Sequence, residues 1–184
     1  PELVAYLKAN PGRVACGNPG VGQSPHLSAA WFAQLTGTEI THVPFRGAAP
    51  AMVELIAGNI QMMFDNLPTI IGQISSGQIR ALAVSTAERW PGLPGVPTMA
   101  EAAIPGFDVT SWSGMLGPKG LPEPVTKRLV EETIRIGQDP LFQQRYLQMG
   151  ARATMKGPEV LRARMDVEIP RWAEVVRESG AKLE

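Results

Sequence analysis

The sequence predicts a parallel α/β fold, a sheet with helices on both faces, and two observations lead there. Through the first half of the chain, short apolar runs of strand length alternate with stretches of helical periodicity, the pattern of strand–helix–strand units. The runs themselves are short and apolar, as expected of parallel strands buried on both sides.

Taken in order, Leu3, Val4 and Leu7 form a helical stripe stopped by Asn10-Pro11-Gly12. Arg13 to Cys16 reads as the first strand, followed by the turn Gly17-Asn18-Pro19-Gly20-Val21-Gly22-Gln23-Ser24. Leu27, Ala30, Trp31 and Leu35 then share a helix face, which Gly37 closes. Glu39 to Phe45 is the second strand, and Ala49 to Ala57 the next helix, with Met52, Leu55 and Ile56 inward. Ile60 to Phe64 is the third strand, Ile70, Ile71 and Ile74 mark a helix ending near Gly77, and Ile79 to Val84 is a fourth strand.

Residues 88 to 107 break this rhythm. Trp90-Pro91-Gly92-Leu93-Pro94-Gly95-Val96-Pro97 is incompatible with regular structure and reads as a surface excursion. A short helix from Met99 to Ala103 and a strand from Asp108 to Leu116 follow. Helices are expected from Pro124 (Val125, Leu129, Val130, Ile134) and from Pro140 to Met149, then a strand from Ala151 to Met155. The last helix starts near Pro158, with Leu161, Met165, Ile169, Trp172 and Val176 inward and a kink at Pro170.

Composition narrows function. Lys+Arg and Asp+Glu both number 17, so the net charge is zero and no clustered basic surface suits nucleic acid. An anionic ligand must therefore be held by local geometry. Cys16 is the single cysteine, which excludes an internal disulfide and a Cys-based metal cluster, and its apolar neighbours suit a buried small residue. With two histidines besides, a dedicated metal site is not expected, and neither is a cofactor. No apolar run has membrane-spanning length. The chain opens on Pro1 without a Met and reads as a fragment or processed chain; Leu183-Glu184 is either native or a tag remnant.

The chemistry is expected in the strand-to-helix turns. Ser24 is placed to cap its helix, with Pro25 at the first helical position, and Gly22, Gln23 and His26 flank it. Arg46, Gly47, Ala48 and Ala49 precede Pro50 at the second helix start; Asp65 and Asn66 precede Pro68 at the third. In a parallel sheet these turns share the edge at the carboxyl ends of the strands, where open α/β sheets bind ligands. Small residues let a ligand approach the backbone, and helix N-termini favour an anion. Each turn has a structural reading as well, since every such helix start needs a cap. Asp65 has three possible roles: binding an amine, ordering a water, or capping. Arg46 either salt-bridges at the surface or reaches the ligand, and His42, in mid-strand, reads as structural.

An enzyme reading competes. Residues 17 to 24 match G-x-x-x-x-G-K-[ST] except at Gln23, and Asp65 ends a strand as a metal-binding aspartate would. Without the lysine the loop lacks the charge that reaches the β- and γ-phosphates, and Pro25 directly after Ser24 is foreign to a triphosphate loop. No nucleophile motif such as G-x-S-x-G is present.

Several segments carry a family resemblance. Gly20-Val21-Gly22-Gln23-Ser24-Pro25-His26-Leu27 resembles G-x-G-S-x-x-H-L, and His42-Val43-Pro44-Phe45-Arg46-Gly47 resembles H-V-P-[YF]-[KR]-G. Ala81 to Arg89, Val96 to Ala102 and Trp112 to Gly120 match further stretches. Together they resemble the Bug family of substrate-binding proteins, which serve tripartite tricarboxylate transporters. The resemblance implies a periplasmic-binding-protein-like (type II) two-lobed receptor that closes on its ligand, located in the periplasm and catalysing nothing. The ligand implied is a small carboxylate: a di- or tricarboxylate, an acidic amino acid or an aromatic acid. Its implied partners are the membrane subunits of the transporter; a ligand-sensing module on the same fold is the alternative. Gln23 departs from the small residue usual before Ser24. Residues 1–105 would be lobe two and 106–184 the C-terminal part of lobe one, the family's N-terminal segment lying outside the chain. A homo-oligomer of the chain is expected on that ground.

Overall fold

The computed structural model describes residues 1–102 and 104–179. The expected helix end at Ala103 and the closing Leu183-Glu184 lie outside the described residues. Helix α1 (Glu2–Ala9) buries Leu7 completely and ends where the Asn10 N–H donates to the Leu7 carbonyl. Strand β1 (Ala15–Asn18) is followed by helix α2 (Ser24–Thr36), strand β2 (Thr41–Pro44) and helix α3 (Ala48–Ile56). Strand β3 (Met62–Met63) and helix α4 (Leu67–Ser75) complete the alternation. The three strands form one parallel sheet in the order β2-β1-β3, with Cys16 level with both His42 and Met62. The fold is thus the parallel α/β arrangement expected.

Beyond the sheet come the short helix α5 (Met99–Ala102), α6 (Glu123–Gly137), α7 (Pro140–Gln148) and α8 (Pro158–Ser179). The chain forms two compact units. One comprises Pro1–Ser111 with the described residues from Trp172 on, the other Trp112–Arg171. The first unit holds the apolar core of Leu7, Val14, Phe32, Met99, Ile104, Phe107 and Val109. Trp31 stacks on Phe107 at 4.8 Å between ring centroids and meets Trp172 edge-on at 6.2 Å. Residues 106–111 pack with this unit because Phe107 and Val109 are core residues.

Strand formation is less extensive than the apolar runs suggest. Ile79 to Val84 is not a strand: Val84 makes a single bridge to Thr98, and Pro97 has no N–H to extend the ladder. Asp108 to Leu116 is not one either, since the Val109 carbonyl is taken by the Ser85 hydroxyl and not by a backbone N–H. Ala151 to Met155 also forms no strand among the described residues. Burial corrects the helix faces in the same way. On α2 Leu27 is buried as expected, but Leu35 is exposed and Phe32 is buried instead; Ile56 of α3 is exposed.

In the second unit the inward stripe of α8 runs through Leu161, Arg164 and Glu168, leaving Met165 and Ile169 exposed. Trp112 explains the shift: its indole N–H donates to Glu168 at 2.8 Å, and Arg164 both pairs with Glu168 and lies over the Trp112 ring at 5.6 Å. α8 runs through Pro170 without interruption and buries Val175, not Val176, in the first unit. A cleft of about 460 Å³ at the α6–α7 corner is lined by Arg135, Ile136, Asp139, Phe142 and Arg145 among others, none of them a residue the sequence singles out.

Candidate functional site

Parallel pairing brings the ends of β1, β2 and β3 to one edge, and with them the three turns. The β1–α2 turn is built on Asn18. This side chain is fully buried, and its Oδ1 accepts from the Gly20 N–H at 3.1 Å. The Gln23 N–H closes on the Gly20 carbonyl, and Gly22 takes the left-handed φ of 78° that a side chain would resist. The Leu27 N–H donates to the Gln23 carbonyl at 3.0 Å, so Gln23, not Ser24, is the N-cap residue. Neither side chain caps the helix. Ser24 is the first helical residue and is exposed, with Pro25 second. The Gln23 amide turns back to the Pro19 carbonyl at 3.5 Å.

The second turn is tied to the first. The Phe45 N–H donates to Asn18 and the Gly47 N–H to Pro19, at 2.9 and 3.0 Å. Gly47 caps α3 with φ 111° and ψ 172°, and the space where its side chain would stand is open. The N–H groups of Ala48 and Ala49 fall in the first helical turn, where no helical carbonyl can accept them. Arg46 is exposed and makes no ion pair among the described residues. In the third turn Asn66 occupies the N-cap position of α4 without a side-chain bond, and its N–H donates to Asp65 Oδ1 at 2.7 Å. Burial pushes the Asp65 carboxyl above its ordinary range, with the Asn66 bond pulling it back.

All the candidate residues except His26 line this edge as exposed or half-buried groups; His26 lies buried behind the first turn. The Gly22 N–H donates to its Nδ1 at 3.2 Å, and the His42 ring meets it edge-on at 4.9 Å. Burial lowers the pKa of both imidazoles, and the charge His26 would carry lowers that of His42 further. Three buried atoms at or near the edge, Asn18 Nδ2, His42 Nδ1 and Asp65 Oδ2, have no hydrogen-bond partner among the described residues. Asn18 was not singled out from the sequence, though an Asn before Pro-Gly at a strand end is the signal of a side chain bonding its own turn. Cys16 is buried and its thiol is pushed up to about 12, which leaves it no thiolate at neutral pH. Among the described residues no group of three or more His, Cys, Asp or Glu is gathered for a metal, and no helix is long and apolar enough to cross a membrane. What the edge offers is backbone N–H groups at helix N-termini in open space, a setting for an anion.

Comparison with known proteins places the chain among relatives. The model of the tripartite tricarboxylate transporter family receptor matches residues 1–180. A "UPF0065 protein in tcbD-tcbE intergenic region" of Pseudomonas sp. (strain P51) is 37% identical over 178 residues, 96% of this chain and 53% of that protein. "Protein BugT" of Bordetella pertussis is 35% identical over 181 residues, 98% of this chain and 56% of its own. The chain therefore spans about half the length of these curated relatives. Among solved structures, R. palustris Rpa4515 with adipate superposes with a TM-score of 0.91 at 33% identity, covering 98% of this chain and 60% of that one. Periplasmic binding protein BugD gives 0.86 at 36% identity, covering 100% and 62%. MatC from Rhodopseudomonas palustris with bound malate gives 0.82 at 29%, covering 95% and 60%.

Proposed function

The chain belongs to the tripartite tricarboxylate transporter receptor family, and on that footing we propose that the protein is a receptor that binds a small carboxylate and catalyses nothing. The observation that carries the proposal is the sheet edge. Three helix N-termini meet there, the first two turns are bonded to each other through Pro19, and the first-turn N–H groups of α3 have no helical acceptor. A carboxylate placed there gains from each helix dipole about 0.3 to 1 kcal/mol when exposed and more when buried. Relatives of the same fold hold adipate and malate, which favours an aliphatic dicarboxylate as ligand. Gly22, Gln23, Ser24, Gly47, Ala48 and Ala49 are its proposed contacts, with Arg46, Asp65 and Asn66 at the rim.

The same footing supports a periplasmic receptor that passes its ligand to the membrane subunits of a tripartite transporter. Residues 1–105, with 106–111 and the described residues from Trp172 on packed on them, form the proposed ligand-binding lobe two, and residues 112–171 are assigned to lobe one. Calorimetry against di- and tricarboxylates, acidic amino acids and aromatic acids tests the proposal, run on the 184-residue chain and on its full reading frame. Saturable binding of at least one carboxylate is expected. Binding of ATP with no carboxylate bound overturns the reading in favour of a nucleotide site.

A further inference from the structure

We infer that His26 is a positioning residue: its neutral Nδ1 holds the Gly20–Gln23 turn in the shape that binds, so ligand affinity is lost when His26 gains a proton. The inference rests on the proposed carboxylate site and adds to it a residue that works from behind, together with a pH range in which the site operates.

The geometry sets the tautomer. The Gly22 N–H donates to Nδ1, so the neutral ring carries its proton on Nε2. A second proton can enter only at Nδ1, where it faces the Gly22 N–H, and the bond that ties the turn to α2 is lost. Gly22 sits at a left-handed φ between Gly20 and the N-cap Gln23. Releasing it leaves the turn held from its two ends alone, by the Gly20 N–H on Asn18 and the Gln23 N–H on the Gly20 carbonyl, and loosens the segment that places the first N–H groups of α2.

The surroundings favour the neutral ring on two counts. His26 is only 6% exposed, which penalises charge. It stands in the first turn of α2, where the helix dipole is positive. His42 on β2 meets it edge-on, and burial together with the charge His26 would carry keeps that second ring neutral. From β1 the titratable neighbour on the His42 register is Cys16, whose thiol stays neutral. The charged groups on the adjoining turns are Arg46 after β2 and Asp65 after β3, and no carboxylate hydrogen-bonds to either ring among the described residues. The turn is therefore formed at neutral pH and given up as the medium turns acidic.

Two substitutions separate this role from a merely structural one. In His26→Asn the amide oxygen lies close to the place of Nδ1 and accepts the same bond without titrating. In His26→Phe the volume remains and the acceptor is gone. Malate affinity is measured from pH 7.5 to 5 for the wild type and both variants. Dividing each curve by that of His26→Asn removes the titration of malate itself. The wild type is expected to match His26→Asn at pH 7.5 and to weaken relative to it by up to about tenfold per pH unit once His26 titrates. His26→Phe is expected to bind about tenfold or more weakly throughout, the loss of one bond to a buried group. Identical acid dependence in the wild type and His26→Asn overturns the inference. Imidazole ¹⁵N spectra of the 184-residue chain decide it independently of any ligand. Nε2–H in the neutral ring, with the Gly22 amide shifting as His26 titrates, supports it, and Nδ1–H overturns it. Failure of malate to bind all three proteins counts against the carboxylate reading, while the nitrogen spectra still decide the role of His26.

Discussion

Cys16 and Gly47 show how differently two residues of a site edge respond to change. The Cys16 thiol is buried on β1 and held near a pKa of about 12. A disulfide reagent at pH 8 is expected to leave it unmodified until the chain unfolds; prompt labelling of the native protein would contradict that burial. Gly47 has open space around it but a φ of 111°, so the obstacle to a side chain is the backbone and not a clash. Gly47→Val is expected to destabilise by about 1 to 2 kcal/mol in urea unfolding, the cost of holding a branched residue at positive φ. It should also weaken carboxylate binding by intruding on the space the ligand takes. Unchanged affinity in a folded variant would move the site elsewhere. Ser24 shows the limit of residue-level reading. Its type suits a cap, yet the N-cap position falls one residue earlier, at Gln23, and Ser24 is already the first helical residue.

Among the elements, α5 and α7 carry side-chain caps at their N-termini. Before α5, Thr98 and Glu101 bond reciprocally: the Glu101 carboxylate accepts from the Thr98 N–H at 2.8 Å, and the Thr98 hydroxyl accepts from the Glu101 N–H at 3.1 Å. The Thr98 N–H bond, helped by Arg89, holds the Glu101 carboxyl below its usual range. A lowered folded-state pKa means the native protein binds fewer protons than the unfolded chain at mildly acidic pH. This contribution is therefore present above the ordinary carboxylate range and lost as pH falls through the folded value. Thr98→Val keeps the buried volume but removes one bond of the pair, and a lower melting temperature is expected. At α7 the Asp139 side chain accepts from the Phe142 N–H at 2.8 Å, and Asp139→Ala is expected to cost about 1 kcal/mol in chemical denaturation. Sequence signals, Thr-x-x-Glu and Asp-Pro, stand at both helix starts because a cap involves residues within one turn of each other, though neither cap was among the expectations above. The absent strand at Ile79–Val84 was not readable, because a strand exists only if its neighbour has N–H groups to pair, and Pro97 has none.

At the scale of the whole molecule the two units differ in their interiors. The first carries a continuous apolar core, with Leu7 and Phe107 almost wholly enclosed. In the second, Leu116, Val125, Leu129, Leu141, Val160 and Val167 are exposed, and none of the buried core residues lies between Trp112 and Arg171 among the described residues. Apolar surface of that extent seeks cover in water. Light scattering on the 184-residue chain is expected to show self-association that rises with concentration. A stable monomer with one cooperative melt would show that the second unit is self-sufficient.

What the sequence determined by itself was local or periodic: the alternation of strand and helix, the Gly and Pro stops, the Gly, Ser and Pro helix starts, and motifs spread widely enough to identify a family. These depend on residues within a turn or two of each other, where backbone sterics, capping and periodicity decide the outcome. Tertiary structure alone decided the rest. It set three strands among the described residues where more were foreseen, tied the first two turns together through the Pro19 carbonyl, and buried His26 behind Gly22 against His42. Each of those outcomes depends on which backbone groups and rings from distant parts of the chain come within hydrogen-bonding or packing distance. Local propensity carries no record of that pairing, and hence none of which N–H groups stay free for a ligand.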